Sequence, residues 1–313
     1  MQEIKAILPA KDKWVSIVWQ VNDWCNFRCT YCSEWNWAGR NKNDTDIPLI
    51  VDTLERIMLH YKAKGYKYFK LYLSGGEPTF WKALIPVVEK FREHAEWPGS
   101  CVGINTNFSK PLSWWKDHHH LFEDVVASYH AEWSKDDKYM DVYKFLQDKK
   151  NYLCSRIMMH HDHFEQCMAF GDRIKNECDN YMIEYAPVYD ELRPSTDPYH
   201  YDEPWQMEFF QTNSTVQQQS IPIKKDPSYA WAKVQYEDDT IEPIDTNGII
   251  TNGKNFFKGW LCNIHESLHI HPNGKIQQAS CGVGPVVGNI VQGEFNTTMS
   301  EGVWCPKSHC HCA

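Results

Sequence analysis

The residues best suited to chemistry in this chain are its cysteines, and three of them form a short cluster. Cys25, Cys29 and Cys32 stand in a C-x3-C-x2-C arrangement. Three thiolates on one loop can hold three irons of a [4Fe-4S] cube and leave the fourth iron without a protein ligand. A structural zinc site would close with four protein ligands, but the nearest downstream histidine is His60. The spacing therefore favours an iron–sulfur cluster with an open iron over zinc.

A second group of five cysteines lies in the last fifty-two residues, at positions Cys262, Cys281, Cys305, Cys310 and Cys312. An Asn273-Gly274 pair, typical of a type I′ hairpin turn, lies between the first two and predicts that they come together. The tail is therefore expected to hold a second metal centre. Four cysteines beside a hairpin are also how zinc ribbons are built, so iron–sulfur and zinc both stay open here.

Composition and charge narrow the function classes. The chain has 313 residues with 32 Lys+Arg, 41 Asp+Glu and 12 Cys, for a net charge of −9. An acidic chain without a basic block is not expected to bind nucleic acid. No apolar run is long enough to span a membrane and no signal peptide is evident, so we expect a cytoplasmic protein. In a reducing compartment, clustered cysteines favour metal ligation over disulfides.

The elements that position these cysteines alternate between strands and helices. Six apolar runs predict strands: Trp14–Gln20, Tyr68–Ser74, Cys101–Thr106, Val125–Tyr129, Leu153–Met159 and Tyr181–Ala186. Helical periodicity between them implies parallel strands joined by right-handed crossovers. Six units are too few for a closed eight-fold barrel. The sequence therefore predicts an α/β fold with an open, partial (β/α)6 barrel similar to a TIM barrel.

Two motifs together resemble those of the radical S-adenosylmethionine enzymes. Tyr31 precedes the last cysteine of the triplet, and Gly75-Gly76-Glu77-Pro78 follows the second strand as in that family's GGEP motif. The resemblance implies that S-adenosylmethionine chelates the open iron through its amino and carboxylate groups. It further implies that the Gly75-Gly76-Glu77 backbone and the Glu77 carboxylate engage the amino group.

Further site residues follow from the same resemblance. Asn105 and Asn107 lie where these enzymes contact the ribose, although a polar turn at a strand end is the alternative. Ser128 and Arg156 are candidates for the methionine carboxylate, and Arg156 could instead be an ion-pair partner. Catalytic residues in barrels lie at the carboxyl ends of strands. That rule gives three catalytic candidates: His130, Glu184 and Tyr185.

The tail resembles the SPASM/twitch extension of the same enzymes, including a Gly-Asn-Ile stretch at Gly288–Ile290. Five cysteines suffice for one auxiliary [4Fe-4S] cluster and not for the two of a full seven-cysteine SPASM domain. The truncated twitch form therefore fits better. The first choice of ligands is Cys262, Cys281, Cys305 and Cys310, and Cys312 could replace one of them or leave an open iron.

The resulting hypothesis assigns a radical SAM barrel to residues 1–187, a bridging segment to 188–261 and a twitch-like domain to 262–313. An electron from a donor such as flavodoxin or ferredoxin would cleave S-adenosylmethionine, and the 5′-deoxyadenosyl radical would abstract a hydrogen atom from substrate. A peptide substrate is expected, although the 24 residues before Cys25 are too few for the N-terminal recognition domain of many peptide-modifying relatives. This weakens the peptide hypothesis without removing it, since a separate protein could supply recognition. Oxidation or epimerisation of a small sugar-like metabolite is the alternative. An iron–sulfur electron carrier and a zinc-stabilised interaction module are the non-enzyme alternatives.

Overall fold

The structure is a computed structural model. It describes residues 4–8, 14–37, 39, 46–188, 201, 203–213, 218–219, 231–245 and 255–310. The strands and helices in chain order are β1 (Ile4–Leu8), β2 (Trp14–Gln20), α1 (Ile47–Ala63), β3 (Tyr68–Ser74), α2 (Leu84–His94), β4 (Cys101–Thr106), α3 (Leu112–His118), β5 (Asp124–His130), α4 (Asp136–Leu146), β6 (Tyr152–Met159), α5 (Phe164–Glu177), β7 (Met182–Pro187), α6 (Pro204–Asn213), β8 (Gln218–Gln219), β9 (Trp231–Tyr236), β10 (Ile241–Asp245), β11 (Leu261–Asn263), β12 (Ser267–Ile270), β13 (Lys275–Gln278), β14 (Val286–Asn289), β15 (Glu294–Phe295) and β16 (Gly302–Trp304).

The main sheet has eleven strands in the order β15-β14-β13-β12-β2-β3-β4-β5-β6-β7-β8. Strands β2 to β7 are mutually parallel and follow one another with helical connections. The predicted α/β class with a parallel sheet is confirmed, and β2, β3 and β4 have the predicted bounds. Over the described residues the sheet is open, which matches a partial barrel.

The two faces of the sheet differ in burial. On β2, Val15, Ile17 and Trp19 are fully buried in the core formed with the helices, including α1. The alternate residues of the strand, such as Ser16 and Val18, are only half-buried. Side chains of a strand alternate between its faces, so the helices cover one face of the sheet. The opposite face, which would be the concave face of the predicted partial barrel and is called so below, is only half-buried.

The tail joins this sheet instead of forming a sheet of its own. The predicted hairpin is present, with β12 antiparallel to β13. However, β12 also pairs in parallel with β2, placing Leu268 beside Ile17. Leu268 and Ile270 are fully buried in the main core, so apolar burial explains why the tail docks there. The predicted boundary at residue 262 therefore does not coincide with an edge of the main sheet.

Two small sheets complete the described fold. Strand β9 pairs with β1 and β10 in a three-stranded antiparallel sheet, which the sequence did not predict. Strands β11 and β16 pair near the terminal loop and place Cys262 beside Val303. None of the described helices has the length and apolarity required to cross a bilayer.

The loop after β3 is joined to the segment that precedes the cysteine triplet. The Gly76 amide donates to the Asn22 carbonyl at 3.1 Å, and the Glu77 amide donates to the Trp24 carbonyl at 2.8 Å. A Cβ at Gly76 would lie 2.0 Å from the Trp24 carbonyl oxygen, and Gly75 adopts a φ of +132°. Both glycines are needed because the two backbones approach too closely for side chains.

A buried carboxylate connects this loop to the end of β4. Glu77 is 1% exposed. One of its oxygens accepts from the Thr79 amide, the Thr79 hydroxyl and the Thr106 hydroxyl, and the other accepts from the Asn107 amide at 2.7 Å. Three of the four bonds therefore converge on one oxygen, and the second oxygen holds the Asn107 backbone. Glu77 therefore fixes the geometry of two strand ends at the carboxyl edge of the sheet.

We expect Glu77→Gln to destabilise the fold by about 1–3 kcal/mol, the cost of leaving a buried hydrogen-bonding group unsatisfied. The amide keeps the shape of the side chain but turns one acceptor into a donor, which then faces donors from the loop. Urea denaturation of the anaerobic apoprotein measures the difference.

Glu93→Gln is the matched control, because Glu93 carries an exposed carboxylate on α2 and pairs with Lys90. Surface ion pairs contribute little, so this variant should keep the parent stability. Equal stabilities of the two variants would show that the carboxylate of Glu77 is not a structural element.

Candidate metal and cofactor site

The cysteine triplet lies on the loop after β2, at the carboxyl edge of the main sheet. Cys29 is buried, whereas Cys25 and Cys32 are half-buried. The Cys32 amide donates to the Cys29 carbonyl at 3.0 Å, which makes the loop turn on itself. The thiols therefore belong to one compact turn that remains partly open.

The three sulfurs of the triplet do not converge on one point. Around one tetrahedral zinc, thiolate sulfurs would lie about 3.8 Å apart. Within the described ranges, just one group of three His, Cys, Asp or Glu ligand atoms lies within 4.8 Å of one another, and it consists of His160, His161 and Asp162. The thiols of the triplet are therefore not arranged around a single ion in this structure.

Each sulfur of the triplet has a hydrogen-bond donor beside it. The Phe27 amide lies 3.3 Å and the Asn107 Nδ2 3.7 Å from Cys25 Sγ. Cys29 Sγ lies 3.5 Å from His130 Nδ1 and interacts with the Tyr31 hydroxyl. The Asn36 side chain donates to Cys32. Donors of this kind stabilise negative charge on sulfur, which suits thiolate ligands of a metal centre.

Burial dominates the acidity of the free thiols. Burial raises the pKa of the Cys25 thiol to about 12, and the pKa of the Cys29 thiol is raised further by burial and by the Glu132 carboxylate. The pKa of Cys32 is also raised by burial. Without a cation the three groups are therefore neutral thiols at pH 7. A bound metal would release their protons, because thiolates are the ligand form.

Three of the predicted residues lie together on the concave face. Ser128, Arg156 and Glu184 occupy one row across β5, β6 and β7. Arg156 Nε lies 2.8 Å from the Glu184 carboxylate, so the ion-pair alternative for Arg156 is the arrangement found. Ser128 lies beside that pair and is half-buried.

The other predicted cofactor contacts are distributed over the carboxyl edge. Asn105 is exposed, whereas Asn107 is buried and its Nδ2 donates to Asn26 Oδ1 at 3.0 Å. Tyr31 is 2% exposed with its hydroxyl against His130 Nδ1. The Glu77 carboxylate is buried and accepts three protein hydrogen bonds on one oxygen and one on the other, and its expected contact with a ligand ammonium stays a prediction.

The structure places the three catalytic candidates differently. Glu184 lies on the concave face within its ion pair, and His130 lies beneath the cysteine loop. Tyr185 is the neighbour of Glu184 and therefore points to the opposite face. Its hydroxyl approaches Gly171 on α5, and its ring packs against Phe209 on α6. Tyr185 is a core residue away from the site, and its prediction as a catalytic residue is corrected accordingly.

Several residues at the site were not predicted from the sequence. His160 Nε2 lies 2.9 Å from the Thr30 hydroxyl, and the Glu132 carboxylate accepts from the Thr30 amide at 3.1 Å. The His160 Nδ1 accepts from the Asp162 amide at 3.1 Å, so both its ring nitrogens are engaged. The available signal was position, since His160 directly follows β6 at the carboxyl edge of the sheet.

A cavity of about 200 Å³ lies beside the cysteine loop. Its lining combines amides and lysines with aromatic rings, including Asn26, Phe27, Asn107, Trp133 and Lys138. Trp133 stacks on Phe27 with ring centroids 6.0 Å apart. Such a lining suits a small polar molecule that carries a flat ring.

The tail brings four thiols together. Cys281, Cys310 and Cys305 all lie close enough to Cys262 to raise the pKa of its thiol, in addition to the larger effect of burial. The Cys310 amide donates to the Asn255 carbonyl at 2.8 Å, and Asn255 Nδ2 donates back to the Cys310 carbonyl at 2.9 Å. No three of these sulfurs lie within 4.8 Å of one another in the described part of the chain. Cys312 lies outside the described residues.

Comparison with known proteins shows a family match for the N-terminal part of the chain. Residues 19–114 match the model of the Radical SAM superfamily. A GTP 3′,8-cyclase of Rhizobium leguminosarum bv. trifolii is 38% identical over 90 residues, 29% of this chain and 24% of that relative. One of Rhizobium meliloti is 36% identical over 76 residues, 24% of this chain and 20% of that relative. The matches thus span about a quarter or less of these curated relatives' lengths.

Two solved structures show partial likeness. Streptococcus suis SuiB bound to S-adenosylmethionine aligns over 90% of this chain and 64% of that chain, with a TM-score of 0.46 and 15% identity. BtrN in complex with AdoMet and 2-DOIA aligns over 90% of this chain and 80% of that chain, with a TM-score of 0.41 and 16% identity. The cysteine triplet and the Gly75-Gly76-Glu77 loop both lie within residues 19–114, the part of the chain that matches the Radical SAM superfamily model.

Proposed function

We propose that this protein is a radical SAM enzyme that holds a [4Fe-4S] cluster on Cys25, Cys29 and Cys32 and uses it to activate S-adenosylmethionine. The observation that carries the proposal is the cysteine triplet itself, three sulfurs with hydrogen-bond donors beside them on one partly open loop, within the residues that match the Radical SAM superfamily model. Three ligands leave one iron free for the cofactor. When bound, the cluster supplies the electron that cleaves S-adenosylmethionine to methionine and a 5′-deoxyadenosyl radical, which abstracts hydrogen from substrate.

This chain's residues would bind and orient the cofactor around that loop. The cavity beside Phe27 and Asn107 has the amides and aromatic rings that an adenosyl group requires. The half-exposed concave face, with Ser128 and the Arg156–Glu184 pair, lies below it for substrate. Arg28 and Thr30 are exposed beside the triplet, so an electron donor such as flavodoxin or ferredoxin can approach the loop.

The tail thiols support an auxiliary [4Fe-4S] cluster on Cys262, Cys281, Cys305 and Cys310. Three of these thiols lie close enough to Cys262 to raise the pKa of its thiol, which suits ligands of one metal centre. The Lys307 ammonium donates to the Cys281 carbonyl, which links the turn after β13 to the terminal loop. We infer that residues 262–313 act as a twitch-like unit although β12 to β15 belong to the main sheet.

A peptide is the substrate class that the concave face favours. The Arg156 charge is matched by Glu184, so this row offers paired charges and a hydroxyl instead of an unpaired cation for a phosphate. Neutral amide groups can hydrogen-bond to such a surface without leaving a buried charge unmatched.

The first test is metal content. Anaerobically reconstituted protein should hold about eight irons and eight sulfides, the content of two [4Fe-4S] cubes. Replacing Cys25, Cys29 and Cys32 by Ala should remove about half of the iron because only one site is lost. Cys178→Ala is the matched control, since Cys178 is buried beside α5 and should leave the iron content unchanged. Zinc in the tail with half the expected iron would contradict the auxiliary cluster.

The second test separates the two metal centres by activity. With dithionite and S-adenosylmethionine, the parent should release 5′-deoxyadenosine slowly without substrate, because cleavage needs only the open iron and an electron. Cys262→Ala/Cys281→Ala should retain this release when its barrel iron is intact. The released 5′-deoxyadenosine is quantified by chromatography. If the iron-loaded parent releases none, the proposed activity is refuted.

The third test addresses the substrate class. A peptide fraction of extract from the source cells should raise 5′-deoxyadenosine release above the uncoupled rate, and protease treatment of that fraction should abolish the increase. If protease treatment leaves the increase intact and the active material co-purifies with small metabolites, the result would instead support the sugar-like alternative.

A further inference from the structure

The side chains around Cys29 differ from those around the other two thiols. Cys29 is 6% exposed and Tyr31 is 2% exposed, so water is largely excluded from this sulfur. Cys25 and Cys32 are half-buried. The polar groups that face Cys29 must therefore come from the protein, and they have a correspondingly strong electrostatic effect.

Two such groups converge on Cys29. His130 Nδ1 lies 3.5 Å from Cys29 Sγ and 2.5 Å from the Tyr31 hydroxyl oxygen. The Tyr31 and His130 rings are stacked, with an interplanar angle of 15°. The backbone of His130 is also held, since its amide donates to the Ser134 hydroxyl at 3.0 Å. Tyr31 and His130 are thus held as one unit against the sulfur.

Both groups of this unit can donate a hydrogen bond to the Cys29 sulfur, the imidazole through an N–H at Nδ1 and the phenol through its O–H. A thiolate can only accept, whereas the Tyr31 hydroxyl can both donate and accept. A proton on His130 Nδ1 lets the imidazole donate towards Cys29 and Tyr31 while the Tyr31 O–H donates to Cys29.

We propose that Tyr31 and His130 are positioning residues that donate hydrogen bonds to the Cys29 thiolate and thereby set the reduction potential of the barrel cluster. This inference rests on the proposed function, because it requires a cluster on the triplet. Reduction adds negative charge to the cluster and its sulfurs. Hydrogen bonds to the sulfurs and exclusion of solvent are among the factors that set iron–sulfur potentials. The two donors therefore favour the reduced form, which must be reached before the cofactor is cleaved.

The position of His130 argues against a role in contacting the substrate. Its Nδ1 is directed to Cys29 and Tyr31, so this nitrogen is engaged by protein groups. Its ring also meets Phe27 edge to face, with centroids 5.8 Å apart. His130 therefore acts through Cys29.

The test is an EPR-monitored redox titration of the full-length reconstituted protein. The part of the EPR signal that changes when S-adenosylmethionine is added reports the open-iron cluster. The midpoint potential of that cluster is read from this part of the signal. Tyr31→Phe and His130→Leu each remove one donor, so both midpoints should shift to more negative potential. His130→Asn places an amide N–H near the position of Nδ1 and should restore a midpoint close to that of the parent.

Tyr66→Phe is the matched control. The Tyr66 hydroxyl also contacts a histidine, His265 Nε2, but lies away from the triplet. Its removal should leave the midpoint unchanged. A midpoint equal to the parent's in both Tyr31→Phe and His130→Leu would overturn the inference while leaving the proposed function intact.

Two further outcomes are decisive. A parent without any iron–sulfur signal would overturn the proposed function and this inference with it. If the variants lose iron, the inference is tested by deuteron ENDOR on the reduced parent in D₂O. A strongly coupled exchangeable deuteron supports hydrogen-bond donors at Cys29, and the absence of such a deuteron refutes them.

Discussion

The arrangement of the site depends on one buried carboxylate. Glu77 accepts four hydrogen bonds from Thr79, Thr106 and Asn107, which belong to two different strand ends. Its own amide donates to the Trp24 carbonyl, one residue before the triplet begins. A buried charge is tolerated only when its acceptors are satisfied, so this carboxylate forces the loop after β3, the end of β4 and the cysteine loop into one arrangement. Asn107, held by Glu77, in turn reaches both Asn26 and the Cys25 sulfur.

The sheet provides the second constraint. Its helix-covered face is packed with fully buried side chains, whereas its concave face carries half-buried polar groups. Polar groups such as Ser128, Arg156 and Glu184 can occupy strand positions because they satisfy one another across neighbouring strands. The alternation of side chains between the two faces of each strand therefore builds the core on one face and leaves a polar surface next to the cysteine loop on the other.

Local patterns were sufficient to predict much of this fold. The apolar runs of β2 and β3 have the predicted bounds, and the Asn273-Gly274 pair correctly indicated a hairpin, because both signals are contained within a few residues. Non-local contacts were not predictable in this way. The partners of Glu77 lie up to thirty residues away, and nothing near Leu268 indicates that it pairs with Ile17. The error at Tyr185 had a different cause, since adjacent residues on a strand cannot both face the site.

The pairing of β12 with β2 also means that this part of the sheet can be completed only late in synthesis. Leu268 and Ile17 are separated by about 250 residues, which a ribosome adds in roughly 13–50 s at 5–20 residues per second. During that interval the strand that leads into the metal-binding loop has one unpaired edge, and such edges are prone to join other chains. The late arrival of β12 would therefore leave the nascent protein open to aggregation at the edge that leads into its metal-binding loop.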